Sequence, residues 1–112
     1  MQQVVDLQND KGFQGLGIEL LSISPDSVSA WLQNAADMKI HLPVLSDSDN
    51  VVANRYGVMR WRHGNEPGHT FVLVGSDGRV KWVRDYGAPE HGGLMYVAPS
   101  DLTKQIASHL SA

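Results

Sequence analysis

The sequence contains no cysteine among its 112 residues. This absence excludes disulfide bonds, cysteine-ligated zinc and catalysis by a thiolate, and it removes the usual indication of the redox compartment. Excess charge of either sign is also lacking, because nine Lys and Arg against twelve Asp and Glu leave a net charge of -3. Without a basic stripe, we expect neither nucleic acid nor an anionic membrane surface as a partner.

Long hydrophobic runs are missing as well. The longest apolar stretches, residues 18–23 and 71–74, are far too short to cross a bilayer, and residues 1–15 lack a basic start and an apolar signal region. We therefore expect a cytoplasmic protein without a membrane segment. The length and the hydrophobic fraction of 42% favour a single domain over residues 1–112.

Helices and strands are predicted in alternation along the first half of the chain. Residues 2–14 are predicted as a helix, and the apolar run 18–23 as a strand covered on both faces. Asp26 or Ser27 is expected to cap the next helix through its side-chain oxygen. That helix carries an apolar stripe at helical spacing, in which Trp31 is expected to pack in the core: Val28, Trp31, Leu32, Ala35 and Ala36.

The second half of the chain is predicted to hold a short strand, a helix, a hairpin and a closing helix. Residues 44–45 read as the strand and residues 47–56 as the helix. The hairpin joins residues 70–74 to residues 79–86. Apolar and polar residues alternate along its second strand, which places Asp85 on the polar face. Pro99 suits the first turn of the last helix.

Several short motifs carry a resemblance to a known family. They are Ser24-Pro25-Asp26, the phrase LPVLSD at 42–47, Tyr56-Gly57-Val58 after Asp49, and Thr70-Phe71-Val72 followed by Asp77-Gly78 and Trp82. In these segments, over roughly residues 3–108, the sequence resembles the alkyl hydroperoxide reductase and thiol-specific antioxidant family, the peroxiredoxin-like redoxins of the thioredoxin fold.

The resemblance implies an α/β domain of thioredoxin-like architecture, with a central mixed sheet flanked by helices and missing its first strand. It also implies an oxidoreductase with antioxidant activity, working through a cysteine and a thiol reductant, and no other cofactor. In relatives the missing strand and the cysteine would precede Gln2. We expect Met1 to mark a start placed after them, so that a thiol reductant would serve only a full-length form.

Loss of a central strand has an energetic consequence. A missing five-residue strand would leave roughly ten backbone groups unpaired, at about 1 to 3 kcal/mol for each buried group. That loss rivals the whole stability of a domain, about 5 to 15 kcal/mol. We therefore predict that the gap is closed. Residues 18–23 could pair with 70–74, residues 2–7 could insert as a strand, or a second copy could supply a segment.

Four residues are predicted to neighbour the site of the missing cysteine: Gly68, His69, Thr70 and Arg60. The resemblance implies an arginine at the position of Gly68 in peroxiredoxins and a cis-proline at that of His69 in thioredoxins. His69 could act on a thiolate or shuttle a proton, or it could satisfy a backbone carbonyl. Arg60 could replace the family arginine, or it could lie in a solvated loop.

No catalytic residue is predicted, and no metal site. His41, His63, His69 and His91 would have to converge with carboxylates, and none shows the close spacing of a metal motif. Two interpretations of function are favoured over a third, a histidine metal site that zinc or nickel would stabilise. One is a redoxin-family domain that is catalytically inactive in this cysteine-free form. The other is a non-catalytic thioredoxin-like module for binding, dimerisation or strand exchange.

Overall fold

The first half of the chain forms four helices and two short strands, described in a computed structural model that covers residues 2–110. They are, in order, α1 (Gln2–Asn9), α2 (Lys11–Gln14), β1 (Ser22–Ser24), α3 (Val28–Asp37), β2 (Val44–Ser46) and α4 (Val51–Arg55). Each strand is only three residues long.

The second half is a hairpin followed by a helix. Its elements are β3 (Thr70–Val74), β4 (Val80–Asp85) and α5 (Pro99–Leu110), with single turns of 3-10 helix at Val58–Trp61 and Pro89–His91. The predicted hairpin and the closing helix that begins at Pro99 are both confirmed.

The strands form two separate two-stranded sheets. β1 runs parallel to β2, with Ser22 opposite Val44, while β3 runs antiparallel to β4, with Thr70 opposite Asp85. Within residues 2–110 no strand joins one sheet to the other. The α/β class with helices flanking the sheets is confirmed, and the predicted central sheet is present as two parts with a gap between them.

Two of the predicted ways to close this gap are wrong. Of residues 18–23, only 22 and 23 enter a strand, and that strand pairs with β2 instead of β3. Residues 2–7 lie in helix α1, because Gln3 and Leu7, four residues apart, bury one helical face in the protein. The third way, a segment from a second copy, stays a prediction.

Two predicted helix boundaries follow their local signals. The Ser27 hydroxyl caps α3 by accepting a hydrogen bond from the Ala30 N–H at 3.4 Å. Gly57 follows α4 with a φ of 73°, a left-handed conformation that costs glycine little. At the end of α3, however, Lys39 takes up a left-handed conformation with a φ of 56°.

The buried apolar residues are concentrated in one part of the molecule, which we call the packed half and define as residues 2–16 and 69–110. Its core combines side chains from α1, α2, the hairpin and α5: Leu7, Phe13, Leu73, Tyr86, Val97, Leu102 and Ile106. The remaining part, residues 17–68, is called the open half. It contributes only Ala53 and Val58 to the buried apolar residues.

The prediction that Trp31 of α3 packs in the core is wrong, because its side chain is only partly buried and is not part of the core cluster. No residue of α3 is buried, and Val28 and Leu32 are 58% and 65% exposed. Within the described residues the helix packs chiefly against β2, so its apolar face has no second layer to cover it.

Candidate functional site

A large open groove separates β1 from β3, and we call it the intersheet groove. Its volume is about 830 Å³. Residues 18–24, which include β1, lie along one side, and β3 lies along the other. Residues of all five helices and of β4 also contribute to the lining, so the groove is the place where the two halves of the molecule meet.

Three of the four predicted neighbour residues lie together at the entrance of β3. Gly68, His69 and Thr70 all line the intersheet groove. Arg60 does not line it, because its Nε donates to the Gly57 carbonyl at 3.0 Å and its guanidinium lies over the Trp61 ring at 4.6 Å. The structure therefore brings three of the four residues into one site and places Arg60 apart.

The His69 imidazole is held by a buried glutamine that sequence reasoning missed. Gln3 Nε2 donates to the Val97 carbonyl at 2.8 Å, and Gln3 Oε1 accepts from the Val97 N–H at 2.7 Å. The amide orientation is thereby fixed, with Oε1 lying 3.0 Å from His69 Nε2. Since Oε1 can only accept, the neutral imidazole carries its hydrogen on Nε2 and leaves Nδ1 as an acceptor.

The surroundings of His69 favour its neutral form. Burial lowers the pKa of His69 below its ordinary value, and the negative charge of Asp85 opposes this shift without cancelling it. The ring also meets Phe71 edge-on, with centroids 5.2 Å apart. At neutral pH the groove therefore carries an uncharged imidazole at this position.

Asp85 is the second residue that sequence reasoning missed, because strand alternation put it on the polar face of the hairpin. It is fully buried. Its Oδ1 accepts from the Thr70 hydroxyl at 2.9 Å, and its Oδ2 accepts from the Ala88 N–H at 2.7 Å. The position of Asp85 at the end of β4, before a turn, was the available signal, because Asp often accepts from backbone N–H groups of turns.

Gly68 allows the backbone to approach Asp85 closely. A Cβ atom at this position would lie 2.7 Å from Asp85 Oδ1 and 2.8 Å from the Trp61 carbonyl oxygen. Both distances are shorter than real Cβ contacts, so no larger side chain fits without movement of the neighbours. The Thr70 hydroxyl donates its hydrogen to Asp85 and therefore does not donate into the groove.

The remaining histidines do not join this site. His91 Nδ1 donates to the Asp85 carbonyl at 2.6 Å, and His63 pairs through its backbone with Glu66. Across residues 2–110, no group of three or more His, Asp or Glu side chains is arranged to hold a metal ion. The same residues include no helix that is long and apolar enough to cross a membrane.

The short strands and their flanking helices define a mixed α/β protein, the class to which the thioredoxin-like fold belongs. The model of the AhpC/TSA family matches residues 2–83, and the chain belongs to that family. It is also 32% identical over 84 residues to Peroxiredoxin 2 of Thermoplasma acidophilum. That match covers 70% of this chain and 42% of the relative, so the chain spans less than half of the relative's length.

Proposed function

We propose that the 112-residue chain is a redoxin-family domain that does not itself catalyse thiol-dependent peroxide reduction. The absence of cysteine carries this proposal. Cysteine peroxidases attack the O–O bond with a thiolate, which becomes a sulfenic acid while the peroxide is reduced to water or an alcohol. A thiol reductant then restores the cysteine, and nothing in this chain can enter that cycle.

The residues of the groove offer no replacement nucleophile. The His69 imidazole can accept or transfer a proton, but it does not pass two electrons from a thiol to a peroxide. The only sulfur is that of four methionines, and Met95 is 63% exposed. A methionine takes up one oxygen to form a sulfoxide that a simple thiol does not readily reverse, so it can consume peroxide only once.

The test is peroxide consumption by the purified chain with dithiothreitol as electron donor, against the rate of the donor alone. We expect no sustained rate above that background. Consumption should stop at or below four equivalents, because the chain has four methionines. Mass spectrometry of the recovered protein counts the sulfoxides and accounts for this loss. Sustained turnover well beyond four equivalents would overturn the proposal.

The peroxidase activity is proposed only for a longer form that carries a cysteine. Such a form would use a thiol reductant and be an oxidoreductase, as the family implies. The active site of that form would include Gly68, His69 and Thr70, which line the groove in this chain. A cytoplasmic location stays a prediction of the sequence.

A second candidate is a non-catalytic module for binding or dimerisation. The observation that favours it is the split between the sheets, since among residues 2–110 β1 and β3 each have a partner strand on one side only. Open strand edges are common docking sites for other chains. Sedimentation over a range of concentrations tests the dimer, since a mass that doubles with concentration supports self-association and a constant monomer mass contradicts it.

A further inference from the structure

We propose that Met95 is a peroxide-reactive modification site, at which the His63 imidazole and the backbone N–H of His69 assist the transfer of one oxygen atom to the Met95 sulfur. The product is methionine sulfoxide. The reaction differs from a peroxidase cycle because it uses no thiol and ends after one equivalent of peroxide.

The three groups meet at Gly87, which is buried and has no side chain. A Cβ atom at Gly87 would lie 3.2 Å from the His69 backbone nitrogen, 3.3 Å from Met95 Sδ and 3.5 Å from His63 Nε2. The three atoms therefore surround the face of Gly87 from which a side chain is missing. Of these four residues only His69 also lines the intersheet groove, so the site does not depend on what the groove contains.

The backbone N–H of His69 is a donor that its strand does not use. Two residues that form a hydrogen-bonded pair in an antiparallel ladder normally exchange two bonds. His69 and Tyr86 form only one, in which the Tyr86 N–H donates to the His69 carbonyl at 2.9 Å. The Tyr86 carbonyl accepts instead from the Leu94 N–H at 2.7 Å, and the His69 N–H has no acceptor among residues 2–110. An unpaired N–H beside Gly87 is available to an oxygen atom placed there.

The backbone on both sides of Met95 is held in place. Leu94 is bonded to Tyr86, and two residues after Met95 the Val97 N–H donates to Gln3 Oε1 at 2.7 Å. The segment therefore keeps Met95 over Gly87 although it lies in a loop. A fixed position is what distinguishes a reactive site from a methionine that is merely accessible.

Met95 is also open to solvent. Its side chain is 63% exposed, whereas Met38 and Met59 are only partly exposed. Peroxide can therefore reach the Met95 sulfur without any movement of the fold. Among the described methionines, exposure and a fixed donor environment coincide only at Met95.

The reaction balances with hydrogen peroxide as the oxidant. A lone pair of the Met95 sulfur attacks one peroxide oxygen, the O–O bond breaks and an S–O bond forms. The sulfur is oxidised by two electrons, and the peroxide is reduced by two. The proton of the transferred oxygen passes to the leaving oxygen, which departs as water.

His63 and His69 would act on different oxygen atoms. Negative charge develops on the leaving oxygen in the transition state, and an imidazole can stabilise it and relay the proton to it. We assign this role to His63. The oxygen that stays on sulfur accepts a hydrogen bond, and we assign its donor to the unpaired N–H of His69.

The experiment treats the purified chain with dilute hydrogen peroxide and measures sulfoxide formation at Met38, Met59 and Met95 by peptide mass spectrometry. N-acetylmethionine amide in the same solution serves as a fully accessible reference. Exposure alone gives a rate no higher than that of the reference. We expect Met95 to react roughly five- to tenfold faster than the reference, as one hydrogen bond to the transition state would produce, and the other two to react more slowly.

The matched protein variants are His63→Phe and His41→Phe. Both parent side chains are exposed, so we expect both variants to fold, by circular dichroism. Only His63 lies beside Gly87. His63→Phe should lower the Met95 rate to that of the reference, while His41→Phe should leave it within about twofold of the parent.

NMR supplies a readout of the product. Oxidation of Met95 should shift the amide proton of His69 and slow its exchange with solvent, because the sulfoxide oxygen accepts from it. Three results would overturn the inference: a Met95 rate no higher than the reference, equal rates in the two histidine variants, and an unchanged His69 amide in the oxidised protein.

These outcomes can be distinguished from those of the proposed function. Sustained peroxide consumption with a thiol donor would overturn the proposal of catalytic inactivity without changing the rate of sulfoxide formation at Met95. An ordinary Met95 rate would overturn the modification site and leave the proposal of catalytic inactivity standing.

Discussion

The packed half and the open half have similar proportions of apolar sequence but bury it very differently. In the packed half, α1, α2 and α5 cover one face of the hairpin, and Leu7 and Leu102 are almost completely buried. In the open half, β1 and β2 form a sheet of three-residue strands, and Ile23, Leu32 and Leu45 remain exposed. The difference shows that a predicted apolar stripe becomes core only where a second layer exists to cover it.

Two side-chain hydrogen bonds of Gln8 join the packed half to the open half. Gln8 of α1 donates from Nε2 to the Lys39 carbonyl at 3.0 Å and accepts from the His41 N–H at 2.6 Å. This pair ties the loop after α3 to the packed half. We therefore expect the open half to undergo local unfolding before the packed half, because it has fewer buried apolar contacts.

The largest expected difference between the halves concerns leucine truncation. Leu102→Ala in α5 should lower the free energy of unfolding by about 2 to 5 kcal/mol, because Leu102 is 0% exposed. Leu32→Ala in α3 should cost less than about 0.5 kcal/mol, since that side chain is 65% exposed. Urea unfolding measures both, and equal losses would contradict the division into two halves.

The next effect concerns the close approach at Gly68. Gly68→Ala should destabilise the protein by about 1 to 3 kcal/mol, because the added Cβ would meet Asp85 Oδ1 at 2.7 Å. Gly15→Ala is the control, since its nearest contact would be 3.4 Å and its φ is -67°. Thermal unfolding compares them. A Gly68→Ala protein as stable as the control would show that the atoms around Gly68 move aside at little cost in free energy.

A smaller effect, in the opposite direction, is expected at the end of α3. Lys39→Gly should stabilise the open half by about 1 kcal/mol, because glycine accepts the φ of 56° without the cost that lysine incurs. Hydrogen exchange by mass spectrometry should show slower exchange in residues 28–46 only. Slower exchange in α5 as well would mean that the two halves unfold together. Gly57→Ala should instead destabilise the open half, because Gly57 has a φ of 73° that alanine does not readily adopt.

The smallest effect is a dependence of stability on pH, which arises from His69 in the packed half. The pKa of His69 is lowered by burial, so below about pH 6.5 the unfolded chain binds a proton that the folded chain resists. Stability should therefore fall as the pH decreases from 6.5 towards the folded-state pKa, and level off below it. Because the imidazole is only partly buried, the change should be modest.

The matched variant for this test is His69→Gln, which keeps a donor for Gln3 Oε1 but does not titrate. The melting temperature should decrease more between pH 7.5 and pH 5.5 in the parent protein than in the variant. Groups that titrate in both proteins cancel in this comparison. An equal decrease would show that His69 does not contribute to the pH dependence.

Local signals predicted most of the elements. The hairpin followed from its Ser76-Asp77-Gly78 turn, and Gly78 indeed has a φ of 80°. The start of α5 followed from Pro99, and the cap of α3 from the pair Asp26 and Ser27, of which the structure selects Ser27. These features depend on neighbours within a few residues, which is why the sequence reveals them.

The site was predicted less completely. Gly68, His69 and Thr70 lie together along the groove and Arg60 lies apart, while their place beside a catalytic cysteine stays a prediction. Gln3 carried no local signal, because its partners His69 and Val97 are 66 and 94 residues away in the chain. The prediction that Asp85 lies on the polar face was wrong, because strand alternation does not show that the Ala88 N–H in the following turn needs a buried acceptor.

The sequence by itself determined that no thiol chemistry is available to this chain, and it indicated the redoxin family and the order of helices and strands. Only the tertiary structure decided that the sheet is divided, that α1 is a helix instead of a replacement strand, and that apolar residues of the open half stay exposed. The physical reason is that pairing and burial depend on which surfaces find a partner. Composition and local pattern do not specify that partner.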